Sequence, residues 1–162
     1  MRIDTPLGPL RIAGTDAAVT AVAWGDDVPA ADDRAVPAAV ALAAEQLTEY
    51  FAGHRRDFAV PIDLGGLGSF QRQVLDLTVA IPYGCTRAYG ELAADLGDRS
   101  VVRAVGGALK HNPIAVIVPC HRVVAADGAL TGYGGGPTTG GRLDVKKALL
   151  EIEQGALQQS LF

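Results

Sequence analysis

A cysteine and a histidine that are adjacent in the sequence, Cys120 and His121, are the residues best suited to chemistry. A cysteine attacks as its thiolate, and because free cysteine is mostly protonated at neutral pH, a nearby base matters. Neighbouring side chains of an extended chain point apart, so direct contact is not assured, although a bridging water could relay the proton. A histidine base also needs an acceptor on its other ring nitrogen, for which Glu151 and Glu153 are the candidates. The alternative interpretation is that Cys120 is an inert cysteine of the core.

The composition suits one domain or two small ones with a genuine core, because 49% of the 162 residues are hydrophobic. Two cysteines are too few for a disulfide framework or a thiolate cluster, and the three histidines lack metal-ligand spacing. No apolar run approaches the ~20 residues of a membrane span, and the N-terminus lacks an apolar signal core. We therefore expect a cytoplasmic protein.

The net charge of -4 hides an asymmetry along the chain. Residues 85–147 carry eight basic and five acidic side chains, whereas residues 1–84 carry six basic and eleven acidic ones. A basic face on the middle segment could meet a polyanion, although shifts of this size also occur on ordinary solvated surfaces.

The first part of the chain reads as a small sheet followed by a helix. Residues 5–9 are turn chemistry between two short strands, and residues 18–24 alternate as a strand. An alanine-rich run from Pro37 to Phe51, followed by Gly53, predicts a helix. We expect an α/β N-terminal domain over residues 1–63 whose role is packing.

Residues 64–162 predict a mainly α C-terminal domain. After a glycine-rich linker, Ser69 can cap a helix with Phe70 on its packed side. Residues 87–95 and 101–110 then form two helical segments, joined by a tight turn that contains a glycine. This arrangement suggests a helix-turn-helix, with an ordinary helical hairpin as the alternative.

The reactive pair lies between an apolar run and the last helix. Residues 114–118 read as a buried extended run that leads to Cys120. Residues 143–153 form an amphipathic helix, and Gly155 should end it. A glycine-rich loop over residues 132–141 lies between Cys120 and this helix.

Six short motifs follow one another in this half of the chain: Ile81-Pro82-Tyr83-Gly84, Ala88-Tyr89-Gly90-Glu91-Leu92-Ala93, Arg103-Ala104-Val105-Gly106-Gly107-Ala108, Asn112-Pro113-Ile114-Ala115, Pro119-Cys120-His121-Arg122-Val123-Val124 and Gly132-Tyr133-Gly134-Gly135. In this order and spacing they resemble the O6-alkylguanine-DNA alkyltransferases, also called methylated-DNA–protein-cysteine methyltransferases. Residues 5–10 and the pair Phe70-Gln71 also fit, so the resemblance covers nearly the whole chain.

The resemblance implies roles for the residues around the cysteine. Cys120 would accept an alkyl group from the O6 position of guanine, and His121 would deprotonate it through a water. Glu153 would hold the histidine, and Asn112 would fix the turn that presents the cysteine.

The resemblance also implies a DNA-binding surface. Tyr89 would donate to the flipped guanine and crowd the adjacent phosphate, and Arg103 would fill the space that the guanine leaves. Ala104 and Gly106 would let the second helix of the helix-turn-helix approach the minor groove, and Arg122 would add a DNA contact.

Besides Cys120, four residues would surround the extruded base. The backbone at Cys120, Val123 and Gly134 would read its edges, Tyr133 would form a wall of the pocket, and Lys146 would lie close by.

The implied activity is direct repair of double-stranded DNA that contains O6-alkylguanine, and O4-alkylthymine is a further candidate substrate. The thioether product is stable, so each molecule should react once, and no cofactor is required. We expect a monomer with no membrane partner.

Three features depart from the family pattern. The loop between Tyr133 and Lys146 is about six residues longer than is usual, with residues 137–142 as the apparent insertion. Cys85 stands where the family often has glutamate, and we interpret it as a tolerated loop residue rather than a second reactive thiol. Some relatives bind zinc in the N-terminal domain through cysteine and histidine, and because no such set exists here we predict no metal.

Two other functions remain as alternatives. A binding module similar to the alkyltransferase-like proteins would flag damaged guanine without repairing it, but those proteins lack the acceptor cysteine. A cysteine hydrolase built on Cys120, His121 and Glu153 would turn over repeatedly.

Overall fold

The structure is a computed structural model that describes residues 1–25, 35–133 and 142–160, with side chains up to residue 155. Its elements in chain order are β1 (Arg2–Thr5), β2 (Gly8–Gly14), β3 (Val19–Trp24), α1 (Ala38–Phe51), α2 (Ser69–Val79), β4 (Arg87–Ala88), α3 (Tyr89–Asp95), a 3₁₀ turn (Arg99–Val101), α4 (Val102–Lys110), a second 3₁₀ turn (Cys120–Arg122), β5 (Val123–Val124) and α5 (Leu143–Ser160). They form two compact units, a sheet with one helix and a mainly helical unit. The fold class predicted from the sequence is confirmed.

The first unit is built on an antiparallel three-stranded sheet in the order β1-β2-β3. The turn between β1 and β2 places Gly8 at φ +113°, a conformation that favours glycine, and the Thr5 hydroxyl donates to the carbonyl of Gly8. Alternation along the strands buries Leu10 and its cross-strand partner Trp24, and α1 contributes the fully buried Tyr50. This unit carries none of the predicted site residues.

The free edge of β3 pairs with residues 61–63 at Val19 and, further along, with a segment that comes from much later in the chain. Val22 N–H donates to the carbonyl of Pro113, and Ala115 N–H donates to that of Val22, each at 2.9 Å. Because of this pairing, Pro113–Ile117 belongs to the first unit. The predicted division at residues 63 and 64 assigned this segment to the C-terminal domain, and nothing in its local sequence signalled the long-range pairing.

The second unit contains the expected helix-turn-helix, formed by α3, a turn through Gly97 at φ +84° and α4. Its helices begin later than predicted, at Tyr89 and Val102. Residues Arg87–Ala88 pair in parallel with β5 instead of joining α3, and Asp98, rather than Ser100, supplies the cap by accepting from Ser100 N–H at 2.8 Å.

Helix α2 packs on α4 and hydrogen-bonds to its C-terminal end. The side-chain amide of Gln71 donates to the carbonyls of Ala108 and His111 at 3.3 and 3.1 Å, which satisfies acceptors that the end of α4 leaves open. The predicted details of α2 differ, because Gly68 rather than Ser69 occupies the cap position and Phe70 is 36% exposed.

Helix α5 continues through Gly155 to Ser160, so the predicted stop at that glycine is wrong. A glycine inside a helix costs only about 1 kcal/mol relative to alanine, too little to end a helix that is held by buried residues such as Leu149. Neither α5 nor any other helix in the described part of the chain has the length and apolar character to cross a membrane.

Candidate active site

Two tight turns directly precede the cysteine in the chain. Val116, a buried β-branched residue, adopts φ +69°, and Ile117 N–H donates across it to the carbonyl of Ala115 at 2.8 Å, which makes a γ-turn. Pro119 forms the mirror-image turn, with φ -83° and ψ 60°, and Cys120 N–H donates across it to the carbonyl of Val118 at 2.9 Å. The run over residues 114–118 is buried as predicted, but it is folded rather than extended.

Asn112 fixes the second of these turns. Its buried Nδ2 donates to the carbonyl of Val118 at 2.9 Å and to Sγ of Cys120 at 3.2 Å. One amide group therefore holds the turn, as the resemblance implied for Asn112, and it also contacts the sulfur, which was not predicted.

Cys120 is 4% exposed and opens the second 3₁₀ turn. Burial raises the pKa of its thiol above the ordinary value, while the hydrogen bond from Asn112 and the charge of Lys146 act in the opposite direction. Since burial dominates, the sulfur is a protonated thiol at neutral pH and needs a base before it can attack.

The imidazole of His121 is held by Glu153. Its Nε2 lies 2.8 Å from Oε1 of Glu153, and burial lowers the pKa of the imidazole, so the ring is neutral. Because Glu153 accepts, the single ring proton is assigned to Nε2. Nδ1 is buried and makes no hydrogen bond within the described residues, so its lone pair is available to take a proton.

Glu153 is fully buried, and hydrogen bonds surround both oxygens of its carboxylate. Oε1 accepts from His121 and from Nη2 of Arg122, and Oε2 accepts from Nε of Arg122 and from the Gly84 N–H. Burial opposes ionisation, but these partners prevail and lower the pKa of Glu153 to about 2. The other candidate, Glu151, is exposed and pairs with Lys147 on the surface.

Arg122 was predicted to contact DNA, and the structure contradicts this prediction. Its guanidinium is buried, donates to Glu153 with two nitrogens and donates through Nη1 to the carbonyl of Ile81 at 2.6 Å. A guanidinium turned inward in this way is not available to a phosphate, so Arg122 belongs to the support of Glu153.

Lys146 lies fully buried beside the cysteine turn, as expected from the sequence, and holds several segments together. Its Nζ donates to the carbonyl of Val123 at 2.6 Å and to the carbonyls of Thr131 and Gly132, each at 3.3 Å. It also donates to the Tyr89 hydroxyl at 3.3 Å, which in turn donates to the Thr131 carbonyl at 2.9 Å. The phenol of Tyr89 is thereby fixed to the site.

The residues predicted to surround a base are partly accounted for. Tyr133 is buried, as a pocket wall would be, whereas Gly134 lies outside the described residues. The N–H of Val123 donates to the carbonyl of Cys120, and its carbonyl accepts from Lys146. Only the second lone pair of that carbonyl is left to read a base edge.

The outer side of the helix-turn-helix combines a cation with small residues. Arg103 and Ala104 are exposed on α4, as is Gly107, and Gly106 is half-buried. A Cβ added at either glycine would meet no atom within 4 Å, so packing within the protein does not require glycine there. Arg103 forms no hydrogen bond or ion pair with the described residues, which leaves its guanidinium free for an external partner.

Comparison with protein families agrees with this arrangement. Residues 69–155 match the DNA-binding domain of 6-O-methylguanine DNA methyltransferase, and residues 2–64 match the ribonuclease-like domain of the same enzymes. The chain belongs to this methyltransferase family.

Individual relatives align along most of the chain. The methylated-DNA–protein-cysteine methyltransferase of Mycobacterium tuberculosis is 45% identical, with 94% of this chain and 90% of the relative covered. The constitutive enzyme of Bacillus subtilis is 40% identical, with 93% and 92% covered. The crystal structure of Mycobacterium tuberculosis OGT in complex with DNA has a TM-score of 0.81 at 44% identity, over 96% of this chain and 92% of that one.

Two donors to Glu153 were not predicted in that role, the backbone N–H of Gly84 and the guanidinium of Arg122, which was assigned to DNA instead. They lie 69 and 31 residues, respectively, before Glu153 in the chain. Local spacing carries no signal for such contacts. The only available clue was that Arg122 directly follows the reactive pair.

The directions of the pKa shifts predict how stability depends on pH. The pKa of His121 lies below its ordinary value of 6.5, so only the unfolded chain gains a proton there, and stability falls as the pH drops below about 6.5. Glu153, with a pKa of about 2 instead of 4.5, adds to the loss below about pH 4.5. The pKa of Cys120 lies above its ordinary value of 9.0, so stability also declines as the pH rises past about 9. Urea unfolding across this pH range measures all three.

Matched cysteine variants isolate the alkaline decline. Cys120→Ala should remove it, and Cys85→Ala, which deletes the exposed thiol, should retain it. The slope against pH is compared, because the cavity left by Cys120→Ala lowers stability at every pH. An alkaline decline of unchanged slope in Cys120→Ala would contradict the assignment.

Proposed function

We propose that this protein repairs DNA directly, by moving an alkyl group from O6 of guanine to Sγ of Cys120 in an irreversible, single reaction. The observation that carries the proposal is the buried Cys120 thiol, which contacts Asn112 and lies next to a neutral histidine held by Glu153. This group sits in the unit that matches the DNA-binding domain of the methyltransferase family. The family relatives are named for the same transfer to cysteine.

The proposed chemistry is a displacement at the alkyl carbon. The Cys120 proton passes through a bridging water to Nδ1 of His121, and Glu153 stabilises the imidazolium that results. Sγ forms a bond to the alkyl carbon as the bond from that carbon to O6 breaks. The leaving guanine takes up the hydroxyl proton of Tyr89, which leaves the Thr131 carbonyl for it, while Lys146 donates to the phenolate oxygen. The imidazolium of His121 then loses its proton to water, and the phenolate takes one up.

The product explains why one molecule reacts once. A thioether has no leaving group that a water in this site could displace, so the alkyl group stays on Cys120. The enzyme is therefore consumed, and no cofactor takes part. Transfer from O4-alkylthymine, action as a monomer and a cytoplasmic location are further parts of the proposal.

The DNA-binding part of the proposal rests on the exposed side of α4. A base inside a duplex is closed to attack by the thiol, so it must be flipped out, at a cost of a few kcal/mol. Arg103 would occupy the vacated space, and Ala104 and the two glycines after it would let the helix lie close to the groove. Val123, Tyr133 and Gly134 would then line the space for the flipped base.

The central test is the intact mass of the protein after incubation with duplex DNA containing O6-methylguanine. We expect a gain of one methyl group, mapped to Cys120, in the wild type and in Cys85→Ala, and no gain in Cys120→Ala. Binding to the DNA without any mass gain would favour the damage-flagging module. Release of more than one product per protein molecule would favour a cysteine hydrolase.

A second test concerns base flipping. Arg103→Ala should slow repair of duplex DNA on the order of 10- to 100-fold, because the cost of unstacking loses its compensation. Reaction with a free O6-alkylguanine base needs no flipping and should change little. Arg72→Ala, which removes an exposed arginine from α2, is the matched control. Equal losses on duplex and free base would contradict the role of Arg103.

A third test concerns the close approach of α4 to the groove. Gly107→Leu should fold at least as well as the wild type, since leucine is favoured over glycine in a helix by about 0.8 kcal/mol and its Cβ meets no neighbour. Its duplex affinity should nevertheless fall at least about tenfold, or ~1.4 kcal/mol. Ala41→Leu on the exposed side of α1 controls for added bulk. Unchanged affinity in Gly107→Leu would show that this side of α4 does not meet the DNA.

A further inference from the structure

Arg122 is buried at the centre of the site, yet the proposed reaction assigns it no step. Its Nε and Nη2 each lie 3.0 Å from a different oxygen of Glu153, in the side-on arrangement that matches a carboxylate. Nη1 donates to the carbonyl of Ile81, and the guanidinium carbon lies 5.8 Å from the centre of the Tyr83 ring. A cation held from three sides has a fixed position relative to Glu153.

The charges around Glu153 balance without a proton on the histidine. Among the donors to this carboxylate are two N–H groups of Arg122, the Gly84 N–H and Nε2 of His121. Arg122 carries the full positive charge that offsets the carboxylate, whereas His121 donates as a neutral ring. A buried carboxylate without such a cation would instead draw a second proton onto the imidazole.

We propose that Arg122 is a positioning residue whose charge, rather than a second proton on His121, balances Glu153, so that Nδ1 of His121 stays a base. The inference deepens the proposed function and rests on it for the link to the reaction rate. The state of the histidine itself can be measured without any reaction.

Several charged or titratable groups face His121. Helix α5 contributes Glu153 and Lys146, and the 3₁₀ turn contributes Arg122 and the Cys120 thiol. Burial lowers the pKa of His121 most, Glu153 raises it, and the charges of Arg122 and Lys146 lower it. Removing the charge of Arg122 while Glu153 stays ionised must therefore raise the pKa of His121.

The test follows the protonation of His121 in the full chain by ¹⁵N NMR of histidine-labelled protein between about pH 5 and 8, the range in which histidines change charge. His54 and His111 are exposed and give the other two histidine signals. In the wild type, we expect His121 to remain neutral with its proton on Nε2 over this whole range. In Arg122→Gln, we expect His121 to become protonated within the range.

Arg122→Lys separates charge from shape, because it keeps the cation and loses the two-nitrogen contact. We expect His121 in this variant to stay neutral as in the wild type. Equal behaviour of the Lys and Gln variants would overturn the proposal, because the contact geometry and not the charge would then matter. Protonation of wild-type His121 within this pH range would overturn it too, and that outcome can be tested even if Arg122→Gln fails to fold.

The rate of methyl transfer provides the second readout. The pH below which transfer slows should rise in Arg122→Gln to the pH of its NMR transition, and Arg122→Lys should restore the wild-type profile. An NMR transition that moves while the rate profile stays fixed would overturn the link between Arg122 and the base. If no protein transfers methyl groups at all, the proposed function fails, and the NMR result still tests the charge balance.

Discussion

The site depends on a single buried carboxylate. Glu153 accepts hydrogen bonds from His121, Arg122 and the Gly84 N–H. These bonds connect α5 to the cysteine turn and to the segment after α2. A buried ion pair of this kind adds little net stability compared with apolar packing, because both charges lose their water. Breaking one side would be costly, however, since the partner would remain as an uncompensated charge. The arrangement therefore specifies a geometry more than it stabilises the fold.

The backbone before the cysteine is held in an unfavourable conformation by the contacts of its neighbours. A β-branched residue at positive φ, as at Val116, is uncommon and costs on the order of 1–3 kcal/mol. It persists because its neighbours are anchored, Ala115 by a backbone hydrogen bond to Val22 and the following turn by Asn112. The strained turn reverses the chain so that Cys120 follows within four residues. A relaxed strand over the same residues would alternate its side chains and would leave the sulfur without the Asn112 contact.

The sequence predicted what depends on local patterns and on ordered motifs. The strands of the first unit, α1 and the pair of helices around Gly97 follow from periodicity and turn chemistry, and the resemblance supplied Asn112, His121 and Glu153 with roles that their observed contacts fit. It did not predict the pairing of Pro113–Ile117 with β3 or the inward direction of Arg122. Both result from partners far away in the chain, and an arginine after a reactive histidine reads equally well as a surface cation. Asp98 replaced Ser100 as the cap for a local reason, because an aspartate also accepts from backbone N–H groups two residues on.

A nucleophile whose pKa is raised is unusual at first sight, but it suits a protein that reacts once. The intrinsic nucleophilicity of a thiolate falls as its pKa falls, so a thiolate formed from a high-pKa thiol attacks carbon more strongly. The resting thiol is also protected, because oxidation and stray alkylation both follow thiolate character and exposure, and Cys120 has little of either. A thiol that stays protonated at rest remains unreactive until a base removes its proton. A chain with a single acceptor gains more from that restraint than from a thiolate that is always ready, since any premature reaction would end its use.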